Sequence, residues 1–354
     1  MELFLKSFHR LVLNNVAIIA SYLILSSVGI SILYDNINFN DLEVSEWIIT
    51  ITQVVNFDKI NFELFGTELY DYRWYLDETS FVSLSYLNYI FYGIFAIGVL
   101  IYLISKNKEI RILKFCFSIY FFIAFFSILL SIIHLFYPGV DITPHFWVLG
   151  LIKSIMILCV SYVLVTEWNK FVVQKDSINP RLTNYRDFNI SRAKRYQRLS
   201  HFVLDAFIGM LIFSFYLMHY KIFLDFVSWL VPILGERFTV FIIFTILSLL
   251  YYISFESILK TTPAKILTNT SLAVLKNIDI NFKAVLVRSF SRKIPFESFS
   301  FFGELGWHDE ISKITVVQNT SESIDYRLVY NILYIALAIV LLFPLLSKLY
   351  NYFF

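Results

Sequence analysis

Seven stretches of this chain are each long and apolar enough to cross a bilayer as one helix, and they constrain its fold more than any other feature. A span needs about 20 mostly apolar residues, because the hydrocarbon core is about 30 Å thick and a helix rises about 1.5 Å per residue. Leu11–Tyr34, Thr79–Ser105, Phe238–Phe255 and Leu328–Ser347 contain no charged residue. Phe115–Phe136 carries His134, Phe146–Thr166 carries Lys153, and Leu199–Tyr220 carries Asp205, His201 and His219. A weaker run, Ile222–Gly235, contains Asp225 and Pro232 and is too short to span, so it reads as an interfacial or re-entrant piece. Hydrophobic residues make up 58% of the chain and charged residues 16%, against about 25% charged in a soluble protein. One water-soluble core cannot hide that much apolar surface.

The expected fold is therefore an all-α integral membrane bundle of about seven transmembrane helices. Loop charge sets its orientation, because Lys and Arg collect on the cytoplasmic side. Ser105–Lys114 holds four basic residues and one acid, and Glu167–Arg198 holds eight basic residues and three acids. Asp35–Glu78 holds ten acids against Lys59 and Arg73. The alternation implies an inner-membrane protein with its N-terminus in the cytoplasm and its C-terminus outside. The first apolar run is too long for the core of a cleaved signal peptide and reads as a retained span. Cys116 and Cys159 both fall inside expected spans and read as buried, inert thiols.

The chain divides into four parts. Residues 1–170 form a four-helix region with an acidic outer loop at 35–78. Residues 171–198 form a basic cytosolic linker, 199–327 a second membrane domain, and 328–354 a last transmembrane helix. In the outer loop, Tyr70, Tyr72, Trp74 and Tyr75 suggest an interfacial aromatic belt. The acids and asparagines of 35–41 lack the glycine turn and spaced glutamate of a calcium loop.

The second membrane domain carries the pattern that points to a family. Arg198 opens the fifth span and Asp205 follows seven residues later, nearly two turns on and so on the same face. After the sixth span comes Thr262-Pro263-Ala264-Lys265, then a strand-like run at Thr270–Leu275. A basic segment with Arg288, Arg292 and Lys293 leads to Trp307-His308-Asp309 and a second strand-like run at Ile314–Gln318. The two runs are expected to pair as a small antiparallel cytosolic β-ribbon, since an isolated strand would leave its backbone groups unpaired. The segment Phe282–Phe302 is expected at the inner membrane surface.

Over about residues 190–320 this order resembles the RDD family, named for one arginine and two aspartates. The resemblance assigns Arg198, Asp205 and Asp309 to the family's charged positions. His308-Asp309 matches its closing His-Asp, and Thr262-Pro263-Ala264-Lys265 its Thr-Pro-Gly-Lys, with Ala264 where glycine is usual. It implies a membrane protein of a family suspected of transport.

Arg198, Asp205 and Asp309 are expected to form one charged cluster at the cytoplasmic mouth, supported by Glu256, Lys265, Arg288 and His308. The functional reading is an ion or headgroup site, and the structural reading is a clasp between a cytosolic loop and a helix pair. Lys153 is a separate intramembrane candidate that either snorkels outward or faces a polar interior. His134, His145 and His219 lack metal-ligand spacing, so no metal is expected. No nucleophile elbow, Walker loop, zinc-protease helix or dinucleotide fingerprint occurs, so neither enzyme chemistry nor a cofactor is expected. The expected partners are the bilayer itself and a protein docked through the acidic outer loop. A formal charge of only +2 argues against a nucleic-acid partner. Three functions follow from these residues: movement of an ion or small solute, service as a non-catalytic accessory or scaffold subunit of a membrane or envelope complex, or, with least behind it, lipid-headgroup sensing through the basic inner loop.

Overall fold

A computed structural model of the protein describes residues 2–36, 68–70, 81–83, 86–136, 144–175, 193, 195–219, 221–274, 281–294 and 306–318. These residues are mostly helical, as their long apolar runs require. The first half contains α1 (Glu2–Asn14), α2 (Val16–Asn36), α3 (Tyr86–Ile104), α4 (Arg111–Phe136) and α5 (Pro144–Lys175). Strands β1 (Glu68–Tyr70) and β2 (Phe81–Ser83) pair antiparallel ahead of α3. The second half contains α6 (Arg195–His219), α7 (Lys221–Leu234) and α8 (Glu236–Ser254). A π-helical turn (Phe255–Leu259) continues α8, and α9 (Pro263–Leu267) and β3 (Thr270–Val274) follow. Then come α10 (Phe282–Ser291), α11 (Trp307–Ser312) and β4 (Ile314–Gln318).

Among the described residues, three helical stretches are long and apolar enough to cross a membrane: Arg111–Ile133, Val148–Thr166 and Glu236–Leu259. The expected first span does not run straight. Its helix breaks at Asn15, and the two pieces meet at 66°; counted as one bent span they bring the total to four. The break is polar: the Asn15 amide donates 2.8 Å to the Leu11 carbonyl, which competes with the helical ladder. The expected second span starts late. Residues 81–83 are strand, and the helix begins only at Tyr86, because Phe81, Val82 and Ser83 pair with Tyr70, Leu69 and Glu68. The short run before Gly235 is a helix of its own, as its Pro232 and length suggest. Gly235, at φ +76°, makes the break into α8, a conformation few other residues tolerate. The expected seventh span, the rest of the outer loop and residues 176–192 lie outside the described residues.

The core is built on α4, which packs against α3, α5 and α9. Every residue from Phe115 to Ala124 is buried, so this stretch of the helix is surrounded on all sides. Aromatic rings do most of the filling. Phe95 meets Phe117 edge-on at 5.4 Å, and Phe122 stacks on Phe255 at 5.1 Å and meets Tyr251 edge-on at 5.4 Å. Phe122 thus joins the first half to α8. Gly98 permits a close approach of α3 to α4, since a Cβ there would lie 2.8 Å from an Ile112 methyl. The outer surface is equally apolar: Leu11, Ile18 and Leu25 on α1 and α2, Ile152 and Met156 on α5, and Phe238 and Phe241 on α8 are exposed. Such an exterior is soluble in lipid rather than water. Cys116 is buried as expected, but Cys159 is exposed on α5, on the same outward side as Ile152, Ile155 and Met156.

The expected ribbon forms. β3 and β4, some 40 positions apart in the chain, pair antiparallel with Thr270 opposite Gln318, Leu272 opposite Val316 and Val274 opposite Ile314. Leu272, Ile314 and Val316 pack with Ala193, whose N–H donates 3.0 Å to the Val316 carbonyl and so covers part of the β4 edge.

Candidate functional site

The motif residues of the second half meet in two adjoining buried arrangements, one of hydroxyls and one of ions. The first is built on α6. Asp205 is 2% exposed, and its carboxylate accepts from three neutral donors. The Tyr251 hydroxyl donates to Oδ1 at 2.9 Å, the Thr262 hydroxyl to Oδ2 at 2.7 Å, and the Ala264 N–H to Oδ1 at 3.3 Å. Thr262 is the N-cap of α9 and Pro263 its first residue, so Asp205 caps this helix from a distance. One turn earlier on α6, His201 Nε2 shares hydrogen bonds with the Thr268 and Thr270 hydroxyls at the other end of α9. Thus α6 grips α9 at both ends. Ala264 needs no glycine turn, because it lies in the helix with its N–H turned to Asp205; the left-handed residues nearby are Lys260 and Asn269.

The second arrangement is ionic. Glu256 sits fully buried in the π-helical turn. Its Oε1 accepts from Lys265 Nζ through a short contact and from Arg292 Nη2 at 2.9 Å, and its Oε2 lies 3.4 Å from Arg288 Nε. Arg288, itself fully buried, also reaches Asp309 Oδ1 at 2.5 Å and donates to the Ile314 carbonyl of β4. His308 Nε2 lies 3.0 Å from Asp309 Oδ1, and the Thr315 hydroxyl donates to Oδ2 at 3.2 Å. Arg198 Nη1 stands 4.0 Å from Asp309 Oδ2. The guanidinium of Arg292 lies over the Tyr252 ring, 4.0 Å from its centroid. One network therefore ties α6, the π-helical turn, α9, α10, α11 and β4 together.

Its electrostatics follow from how few carboxylates serve how many cations. Arg198, Lys265, Arg288 and Arg292 share Glu256 and Asp309, with Asp205 beside them. Burial would raise the Asp309 carboxyl, but Arg288 and then the His308 hydrogen bond hold it well below the usual carboxylate range. Burial pushes the Lys265 ammonium down to about 8. The pull of Glu256 only partly opposes this, and the like charges of Arg292 and Arg288 push it down further.

The expected cluster is thus partly rearranged. Arg198 and Asp309 come together, and Glu256, Lys265, Arg288 and His308 join them. Asp205 does not pair with Arg198, because seven residues of helix separate them by about 10 Å of rise. Arg198 therefore meets α11 while Asp205, two turns further along α6, meets α9. Thr262 and Arg292 stood in the sequence pattern but not in the expected cluster, and Tyr251, Thr315 and His201 stood in neither. The spacing of His201 and Asp205 by four, and of Arg288 and Arg292 by four, was the signal that one helix face presents both members. Lys153 lies half-buried on α5 with an interaction of its own and belongs to neither arrangement. The side chains of His134, His145 and His219 lie outside the described residues, and among the described residues no cluster of metal-ligating side chains occurs.

No family model, no curated protein and no solved structure matches this chain.

Proposed function

We propose that the chain is an RDD-like multi-pass membrane protein of about seven spans that moves an ion or small solute. In this reading the N-terminus is cytoplasmic, the C-terminus is outside, and the buried network sits at the cytoplasmic end of the spans. The observation that carries it is Glu256: a fully buried carboxylate shared by three cations, in a π-helical turn that ends an apolar helix of membrane length. Charges cost several kcal/mol in so apolar a setting and usually mark a pathway, and single π-turns recur at functional sites. Support for the family reading comes from the way the motif pieces contact one another. Thr262 and Ala264 hold Asp205, His308 holds Asp309, and Arg198 stands beside Asp309.

Asp205 is the group to test, because its hydrogen bonds come from neutral donors and, among the described residues, no cation lies within ion-pair distance of it. The protein reconstituted in liposomes is expected to carry ion flux that Asp205→Asn abolishes while the variant still inserts and elutes as a single species. Flux that is absent from the wild type, or unchanged in the variant, sinks the transport reading.

A second reading, an accessory subunit, is favoured by the closure of the network: Glu256, Arg288 and Asp309 have no exposed surface, as a clasp requires. The 44-residue outer loop, with ten acids against two basic residues, would dock the partner. A stoichiometric partner retained after mild solubilisation, with no flux from the lone protein, selects this reading.

A further inference from the structure

Helix α10 is inside out. Along its length Val285, Arg288 and Ser289 are fully buried and Ser291 nearly so, and Arg288 and Arg292 reach inward to Glu256 and Asp309. The opposite face carries Phe282, Leu286 and Phe290 at four-residue intervals, with Val287 and Ile294 beside them. Phe282 is 57% exposed, Phe290 58% and Ile294 41%, while Leu286 between them is half-buried. A helix on a water-soluble surface shows the reverse arrangement, apolar side in and charged side out. Here the protein interior supplies the carboxylates, so the outer face is the one that needs an apolar solvent.

Length decides how that solvent is met. Ten residues rise about 15 Å, half of the hydrocarbon thickness, so α10 cannot cross. It begins at a well-formed cap, where the Asn281 side chain accepts from the Ala284 N–H at 2.8 Å, and it packs against α8 and the π-helical turn. The exterior of α8 stays apolar toward its α10 end, with Ile246 and Leu250 exposed, and this identifies the neighbouring medium as lipid. Lys283 and Lys293 are both exposed on the outward half of α10. Helix α11, packed against α10, turns Trp307 and Ile311 outward as well, at 45% and 51% exposure. Aromatic and aliphatic side chains edged by lysines are the composition of a helix lying in a bilayer interface, with the ammonium groups at the level of anionic headgroups.

We propose that α10 is an in-plane interfacial helix, its Phe282–Phe290 face set into the acyl boundary and its Lys283 and Lys293 holding anionic phospholipid. This holds whether or not the network behind it moves an ion. Because Arg288 and Arg292 sit on the same helix, the lipid surface and the buried network press on one element from its two sides.

A single probe tests the placement. In a Cys159→Ser background, an environment-sensitive fluorophore is attached through Phe290→Cys or, as an aqueous control, Lys108→Cys. Both proteins are placed in phosphatidylcholine–phosphatidylglycerol vesicles with brominated acyl chains. The probe on α10 is expected to be quenched by about half or more and the control by little, as shallow acyl burial requires. Equal quenching at the two sites overturns the proposal. So does an apolar but unquenched probe at Phe290→Cys, which means a protein surface covers the face.

The headgroup claim has its own test. Moving the wild type from pure phosphatidylcholine nanodiscs to nanodiscs with phosphatidylglycerol is expected to raise its thermal midpoint. Lys283→Glu with Lys293→Glu should remove at least about half of that rise, given the share of charge attraction each lysine supplies. A rise that survives intact overturns the claim. If the double Glu variant does not fold, Lys283→Gln with Lys293→Gln gives the same reading.

Discussion

The two halves of the described bundle bury similar helices by opposite means. Around α4 the first half is filled with rings and branched chains, and Phe95, Phe117, Tyr120 and Phe122 are all within 2% of complete burial. Behind α8 the second half buries Glu256, Lys265, Arg288 and Asp309 as completely. An apolar core tolerates rearrangement, because dispersion and area burial are non-directional and neighbours can relax into a vacancy. An ionic core does not, because each charge removed leaves its partner stranded in a poor solvent. The first kind of core makes the bundle stable, and the second specifies which short elements meet at its end. Phe122 belongs to both, stacking on the Phe255 that directly precedes Glu256.

The contrast breaks most sharply at Arg288, which serves two carboxylates at once. Arg288→Ala is expected to cost about 3–5 kcal/mol, seen as loss of monodisperse protein on size exclusion in detergent. Arg288→Met combined with Asp309→Leu should cost clearly less than the two single losses added, by about 1 kcal/mol or more. Additive losses would mean that the pair is screened and that the second half is no different in kind from the first.

Asp205 comes next. Removing it strands three neutral donors and breaks no direct ion pair, so Asp205→Ala is expected to cost about 1.5–3 kcal/mol, less than Arg288→Ala. Chemical denaturation in detergent measures it, and a larger loss than at Arg288 would reverse the ranking of hydroxyl and ionic sites.

In the apolar half the expected effects are smaller and depend on position. Gly98→Ala places a methyl against Ile112 and should cost about 1–3 kcal/mol through overpacking. Gly93→Ala, on the same helix with nothing within 4 Å of the new methyl, should instead be neutral or gain about 0.5–1 kcal/mol from helix propensity. Thermal midpoints of the two variants, measured side by side, check the sign.

The pH dependence is the mildest test. Lys265 keeps its proton to about 10.5 when unfolded but only to about 8 when buried. Between those values the unfolded chain binds more protons, so folding stability should rise with pH, and the cost of burying the ammonium is present in full below 8. Lys265→Met should flatten that slope. Asp309 gives a slope of the same sign in acid: its lowered pKa adds stability that is present in full above the ordinary value of 3.8 and is lost as pH falls toward the folded one. A slope between pH 8 and 10 that Lys265→Met leaves unchanged would mean that Lys265 keeps its proton when buried.

Much of this architecture was legible in the residues. Runs of apolar residues place α4, α5 and α8, because a helix is the main way to satisfy the backbone in lipid. Alternation in Thr270–Leu275 and Ile314–Gln318 foretold the pairing of β3 with β4, since either strand alone leaves its edge open. The same reasoning misplaced the start of α3 and drew the first span straight. Local pairing at Phe81–Ser83 and one asparagine at the break override hydropathy there.

The chain by itself determined that apolar helices form, that a ribbon closes the second half, and which charged residues have to be buried or paired. These follow from periodicity and from the cost of an unsatisfied group, both of which are properties of a segment. Only the tertiary structure decided which partner each charge takes. Asp205 is given to Tyr251, Thr262 and Ala264, Arg198 to Asp309, and Arg288 to Glu256 and Asp309 together. Any of these carboxylates has the chemistry to hold any of the cations. The choice depends on depth along α6 and on the side of α10 that faces inward, and such distances exist only once the helices have packed.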